Sequence, residues 1–143
     1  MTIGAPPANL DPSNLSRMQR KAAKHFEQHS AVWEIAKRIV GCVDPHYKYT
    51  NLAVSKNFVG SPHRDEFDIA YQFALSLGDF TGGGELCVET MHDEVTLVDT
   101  HGKIAKLDGR FPHWVSGYTG TRYSLIWYRV MGESVPIGSA LPL

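Results

Sequence analysis

Cysteine is scarce in this sequence. Cys42 and Cys87 are the only two, far apart and without a CxxC pairing, so no redox-pair motif is present. Two buried free thiols in a reducing compartment are expected, with a single disulfide as the alternative. Long apolar runs are also lacking: no stretch approaches the roughly 20 residues that span a bilayer. Met1 to Leu10 has Pro6 and Pro7 but no charged region leading into an apolar one, so no signal peptide is expected. The chain reads as intracellular, cytoplasmic or nuclear, or as a domain of something larger. Charge of one sign is not in excess. A formal net charge of -1 excludes an overall basic field for nucleic acid or anionic lipid, though not a local basic patch. There is no internal repeat and no low-complexity tract. Gly82-Gly83-Gly84 is followed by neither a helix nor Lys-Ser/Thr, which rules out a P-loop.

What is present fits one soluble domain over residues 1–143. The chain is 43% hydrophobic and 20% charged, and long enough to bury a core. Residues 1–48 read as helical support. Asp11-Pro12 is a helix start, and Leu15, Met18, Ala22 and Phe26 recur at helical spacing with Arg17, Arg20, Lys21 and Lys24 around them. Ser30 is expected to cap a second helix, whose stripe of Val32, Trp33, Ala36, Ile39 and Val40 ends at Gly41. From residue 49 the pattern becomes short β-branched and aromatic runs. Strands are expected over Tyr49–Phe58, Ala70–Leu77, Glu85–Glu89, Val95–Thr100, Lys103–Leu107, His113–Ser116 and Arg122–Val130. Turn chemistry separates them at Gly60-Ser61-Pro62, Gly82–Gly84, His101-Gly102, Asp108-Gly109 and Thr119-Gly120. The expected class is mainly β with N-terminal helices, a sandwich or squashed barrel backed on one side. Residues 132–143 should form an irregular tail.

His63-Arg64-Asp65 places two ligand-type side chains at i and i+2, on one side of an extended segment. His113 would complete a 2-His-1-carboxylate face, the donor set that leaves positions open on a non-haem iron. The H-x-D motif is weak by itself, since this composition gives about 0.7 chance matches. The downstream pattern is stronger: Arg122 follows His113 by nine residues, and Ser124 shares its strand face. Both elements in order are expected about 0.05 times by chance. Arg122 lies on a strand rich in Leu125, Ile126 and Trp127, where its burial is costly unless something anionic meets it. A bound carboxylate would do so, and Asp79 or Asp108 could serve as a structural partner instead. His25, His29, His46, His92 and His101 have no ligand spacing and read as surface residues.

Residues Tyr49 to Val130 resemble the iron(II)/2-oxoglutarate-dependent dioxygenases, which are built on a double-stranded β-helix, or jelly roll. The resemblance implies a β-helix core over 49–131, with His63, Asp65 and His113 as iron ligands and catalytic centre. It also implies that Arg122, helped by Ser124, holds the far carboxylate of 2-oxoglutarate. A guanidinium suits that task because it can grip a carboxylate bidentately. An Asn before the H-x-D often contacts the inner carboxylate in this family, a role open to Asn57 or Asn51. The physical reading beside it is that Asn51, Ala53, Ser55 and Asn57 share one strand face, either lining a ligand cavity or facing solvent.

The substrate is less legible. Gly78-Asp79-Phe80-Thr81-Gly82-Gly83, Asp108-Gly109 and Gly120-Thr121-Arg122-Tyr123-Ser124 look similar to the nucleic-acid-modifying branch, the TET and JBP types and algal relatives acting on 5-methylcytosine. One algal lineage uses ascorbate in place of 2-oxoglutarate. That branch would imply a DNA or RNA base as partner, with Asp68, Tyr71 and Trp114 as candidate substrate contacts. Asp68 can equally be a co-substrate contact or a turn cap, and aromatic strand residues are commonly core. Hydroxylation of a protein side chain or a small molecule is the alternative chemistry. A catalytically silent barrel acting as a binding module is the alternative without chemistry. Oligomeric state is not readable from the sequence.

Overall fold

The computed structural model describes residues 1–5, 11–90 and 93–142; His92 lies outside the described residues. Among the described residues, eight strands form two antiparallel sheets, with two α-helices against one of them. The strands are β1 (Thr2–Gly4), β2 (Asn51–Lys56), β3 (Gln72–Gly78), β4 (Leu86–Glu89), β5 (Val95–Val98), β6 (Ala105–Leu107), β7 (His113–Val115) and β8 (Arg122–Tyr128). The larger sheet has the order β1-β2-β8-β3-β6 and the smaller β5-β4-β7, with no closed barrel. All seven strands expected from sequence are present; β3 runs one residue past its expected end, to Gly78, and the others are shorter than expected. β1 is an addition, since three residues are too few to show a period.

β8 organises the molecule through its alternation. Its residues Leu125 and Trp127 face the helices, while Arg122, Ser124, Ile126 and Tyr128 face a cavity on the other side. In register, Ser124 lies opposite Ser55 of β2 and Ser76 of β3, and Trp127 lies opposite Leu52 and Phe73. The helix-side core gathers Ile3, Trp33, Ala36, Val40, Leu52, Phe73, Leu75 and Trp127. Trp127 is fully buried, and its indole N–H donates to the Ala36 carbonyl at 3.1 Å, tying α2 (Ser30–Gly41) to the sheet. A second cluster, Ala74, Leu86, Val88, Leu107 and Ala140, draws on both sheets and the tail.

The N-terminal half departs from expectation in instructive ways. Asp11 caps only a 3-10 turn, Pro12–Asn14. The first helix, α1 (Arg17–Gln28), starts from a capping box in which Ser16 and Gln19 satisfy each other's backbone N–H groups. Of its expected apolar stripe, Met18 and Ala22 are exposed, and Phe26 packs against the core. Ser30 is the first residue of α2 and not its cap; His29 holds that position without a side-chain bond. Cys42 is exposed, correcting the expectation of two buried thiols, while Cys87 is buried; both are free. The tail from 132 to 142 is irregular but tethered. Val135 N–H donates to the Ile69 carbonyl, and Asp108 N–H to that of Ala140.

Candidate metal centre

The two histidines come together through the backbone. His63 and His113 form an isolated antiparallel bridge, exchanging N–H to carbonyl bonds of 3.1 and 3.0 Å. That pairing places their side chains next to each other, with ring centroids 4.4 Å apart. Asp65 N–H then donates to the Gly109 carbonyl at 2.8 Å, so the H-x-D segment is laced onto the chain that leads into β7. Ligand atoms of His63, Asp65 and His113 all lie within 4.8 Å of one another.

The orientation of the donors matters as much as their proximity. His63 Nδ1 is 2.9 Å from the Ser61 carbonyl and His113 Nδ1 is 2.8 Å from the Phe111 carbonyl. A carbonyl only accepts, so Nδ1 carries the hydrogen in both rings and Nε2 is left as the free donor atom. Both Nε2 atoms face Asp65, at 3.5 Å from one oxygen and 3.3 Å from the other. Two lone pairs aimed at a carboxylate repel unless a proton or a cation lies between them. Burial would lower the His113 pKa, but the hydrogen bond and charge of Asp65 outweigh it and hold the imidazole above its ordinary value. Burial likewise opposes ionisation of Asp65, yet hydrogen bonds from His113 and Gln72 and the nearby imidazoles keep its pKa low. The donor set therefore fits a divalent cation: two imidazole nitrogens and one carboxylate, each oriented by its own partner.

Gln72, at the start of β3, supplies that orientation for the carboxylates. Its amide nitrogen donates to Asp65 at 2.8 Å and to Asp68 at 2.9 Å. Asp68 is buried, and desolvation together with the charge of Asp65 raises its pKa from 3.8 to about 7, against the opposing Gln72 bond. Gly109 packs closely under this cluster: a Cβ there would press on the Gln72 amide nitrogen and on an oxygen of each carboxylate, and those side-chain ends would have to shift.

A cavity of about 930 Å³ opens beside the triad and reaches Arg122 and Ser124. Asn51, Asp68, Trp114 and the apolar side chains of Ala74, Leu86, Val115 and Ile126 also line it. Arg122 is 4% exposed. Burial pulls its pKa below the ordinary guanidinium value, and Tyr118 opposes that. Among the described residues no carboxylate pairs with it. Asp79 accepts from the Thr121 N–H, and Asp108 pairs with Arg110 at 2.8 Å, so neither is the structural partner considered above. Instead Arg122 Nε donates to the Gly84 carbonyl at 3.2 Å, and its guanidinium lies 5.4 Å from the Phe80 ring centroid and 5.8 Å from that of Tyr118. Ser124 Oγ shares a hydrogen bond with Ser55 Oγ.

Two candidates fall outside the cavity lining. Asn57 follows the end of β2 at φ 54°, where strand alternation has stopped, and its carboxamide oxygen accepts from the Arg122 backbone N–H. It supports the strand bearing Arg122 and does not line the cavity. Tyr71 precedes Gln72, so strand parity sends it to the opposite face, where it stacks on Tyr47 and lies under Lys106. The sequence did not point to Gln72, nor did it place Phe80 and Tyr118 beside Arg122. A glutamine among Phe73, Ala74 and Leu75 was the available signal for the first. His101 stacks on Phe80 and bonds the Gly78 carbonyl, remote from any ligand role. No protein-family model matches the chain, and no curated protein matches it.

Proposed function

We propose that this chain is a non-haem iron(II) dioxygenase that couples oxidative decarboxylation of 2-oxoglutarate to hydroxylation of a substrate C–H bond. The observation that carries the reading is the pairing of a convergent His63-Asp65-His113 donor set with a buried, carboxylate-free Arg122 across one cavity. The two antiparallel sheets are read here as the halves of a double-stranded β-helix, entered along the His63–His113 bridge.

His63, Asp65 and His113 would hold the metal from one side, leaving the cavity side for ligands. Bound there, iron(II) supplies the redox chemistry that lets dioxygen react with 2-oxoglutarate, giving succinate and carbon dioxide, and oxidise the substrate. Arg122 and Ser124 take the distal carboxylate of the co-substrate. The Gly84 carbonyl and the faces of Phe80 and Tyr118 hold the guanidinium in place without neutralising it. Ser55 fixes the Ser124 hydroxyl, and Asn51 offers a further polar contact on the same wall. The apolar walls exclude water from the reacting region. The C–H bond we favour is in the methyl group of a modified pyrimidine in a nucleic acid, with Trp114 among the residues of the cavity wall.

The test is anaerobic titration with iron(II) and 2-oxoglutarate, following the weak visible charge-transfer band of the chelate. The parent protein should develop the band, His63→Ala should not, and Arg122→Ala should need at least tenfold more 2-oxoglutarate, as loss of a buried charge-assisted contact predicts. No band in the parent would sink the co-substrate assignment. Turnover of methylated DNA with ascorbate in place of 2-oxoglutarate distinguishes an ascorbate-using enzyme.

A further inference from the structure

The four cations of α1 form a stripe. Arg17, Arg20, Lys21 and Lys24 stand at i, i+3, i+4 and i+7, which gathers them on one helix face about 10 Å long. All four are exposed, and the opposite face carries Phe26, which packs on the core. Among the described residues little offsets this arrangement: Glu27, three residues past Lys24, is the one acidic residue of the helix. Arg17 and Arg20 occupy the first turn, the positive end of the helix dipole, and no acidic residue is there to offset them. Arg17–Lys21 and Arg20–Lys24 are like-charge pairs at i,i+4, each of them destabilising. Among the described residues none of the four makes an ion pair. On a chain whose net charge is -1, this is a segregated patch that weakens its own helix. Local rules broken without an internal return point to an external partner.

We infer that this face of α1 docks the phosphodiester backbone of a nucleic acid. The inference stands apart from the metal reading, because it uses no residue of the cavity. A closely spaced row of cations matches the dense, regular charge of a polynucleotide. The patch does not have the makeup of a protein interface: it contains no aromatic residue, and Met18, 82% exposed, is the one large apolar side chain beside it. Nor does it suit a bilayer surface, since an interfacial helix must offer lipid an apolar face, and here that face is turned to the core.

The experiment is fluorescence anisotropy of a labelled DNA duplex with the full chain, without added metal, between 50 and 200 mM salt. Four phosphate contacts give a slope of log K against log salt of about -3.6, roughly a hundredfold loss across that range. Replacing Arg17, Arg20, Lys21 and Lys24 together by Gln should reduce the slope to near zero. The variant's melting temperature should hold or rise, since the like-charge pairs are gone. Lys106→Gln serves as the control. It lies on β6, the sheet edge opposite β1, which α1 contacts, and should change the slope by no more than about one. A quadruple variant that keeps the parent slope would overturn the inference. So would a parent that fails to bind duplex at 50 mM salt, or one that binds phosphatidylserine vesicles and not DNA.

Discussion

Asp68 is a buried carboxyl held beside an ionised one, with a single amide nitrogen shared between them. Its folded pKa, about 7, lies above the ordinary 3.8, so the folded state prefers it protonated. That preference stabilises the metal-free fold fully below about pH 4 and is lost as pH rises through 7. Asp68→Asn keeps an acceptor for Gln72 and removes the titration. In chelator, its melting temperature should match the parent near pH 4 and exceed it by several degrees at pH 8; thermal melts at the two values decide the point. Gly109→Ala acts on the same cluster by crowding. The added methyl must displace the Gln72 amide from both carboxylates, so iron(II) or cobalt(II) affinity measured by calorimetry should fall 10- to 100-fold, the usual cost of a lost orienting partner. Residues fixed by spacing along one strand, such as Arg122 and Ser124, were legible in the sequence because alternation alone puts them on one face. Asn57 leaves the face it was expected to share because β2 ends one residue before it, and Tyr71 lies outside the cavity because its neighbour Gln72 faces inward. Gln72 and Gly109 depend on pairings between distant segments, which composition and spacing do not encode.

Among the elements, β8 and α2 form the joint on which the larger sheet is supported. Trp127 fills the space beneath α2 and bonds the Ala36 carbonyl. Trp127→Ala should cost about 3–5 kcal/mol in urea unfolding through lost burial and the cavity left behind. Trp127→Phe, which loses mainly the hydrogen bond and part of the ring, should cost about 1–2 kcal/mol. Equal costs would mean that the indole N–H contributes most of what holds α2. The strands from β2 to β8 were readable from β-branched and aromatic runs bounded by turn residues, and α2 from an apolar stripe of period 3.6. The order β1-β2-β8-β3-β6 was not. Short strands with similar apolar faces can pair in many orders, and the choice is made by three-dimensional packing.

For the whole molecule, the metal and the proton compete for the same atom. Cation binding requires the His113 Nε2 lone pair, while Asp65 holds that imidazole's pKa above its ordinary value. Below that pKa each bound cation must release a proton, so log Kd should rise by about one per pH unit as pH falls. Calorimetric titrations in buffers of different ionisation enthalpy would count the proton directly. A pH-independent affinity would remove His113 from the ligand set. Cation in hundredfold excess over Kd should stabilise the fold by about 2.7 kcal/mol, seen as a higher melting temperature that chelator reverses.

The single bridge between His63 and His113 also bears on the order of events in folding. The two histidines are joined by one pair of backbone bonds between segments far apart in the chain. Closing so long a loop for so few contacts is entropically unfavourable until the large sheet has already formed. The site is therefore among the last features to assemble and among the first to open. A bound cation should leave the refolding rate nearly unchanged and slow unfolding instead, so that occupancy of the site governs how long the native state lasts.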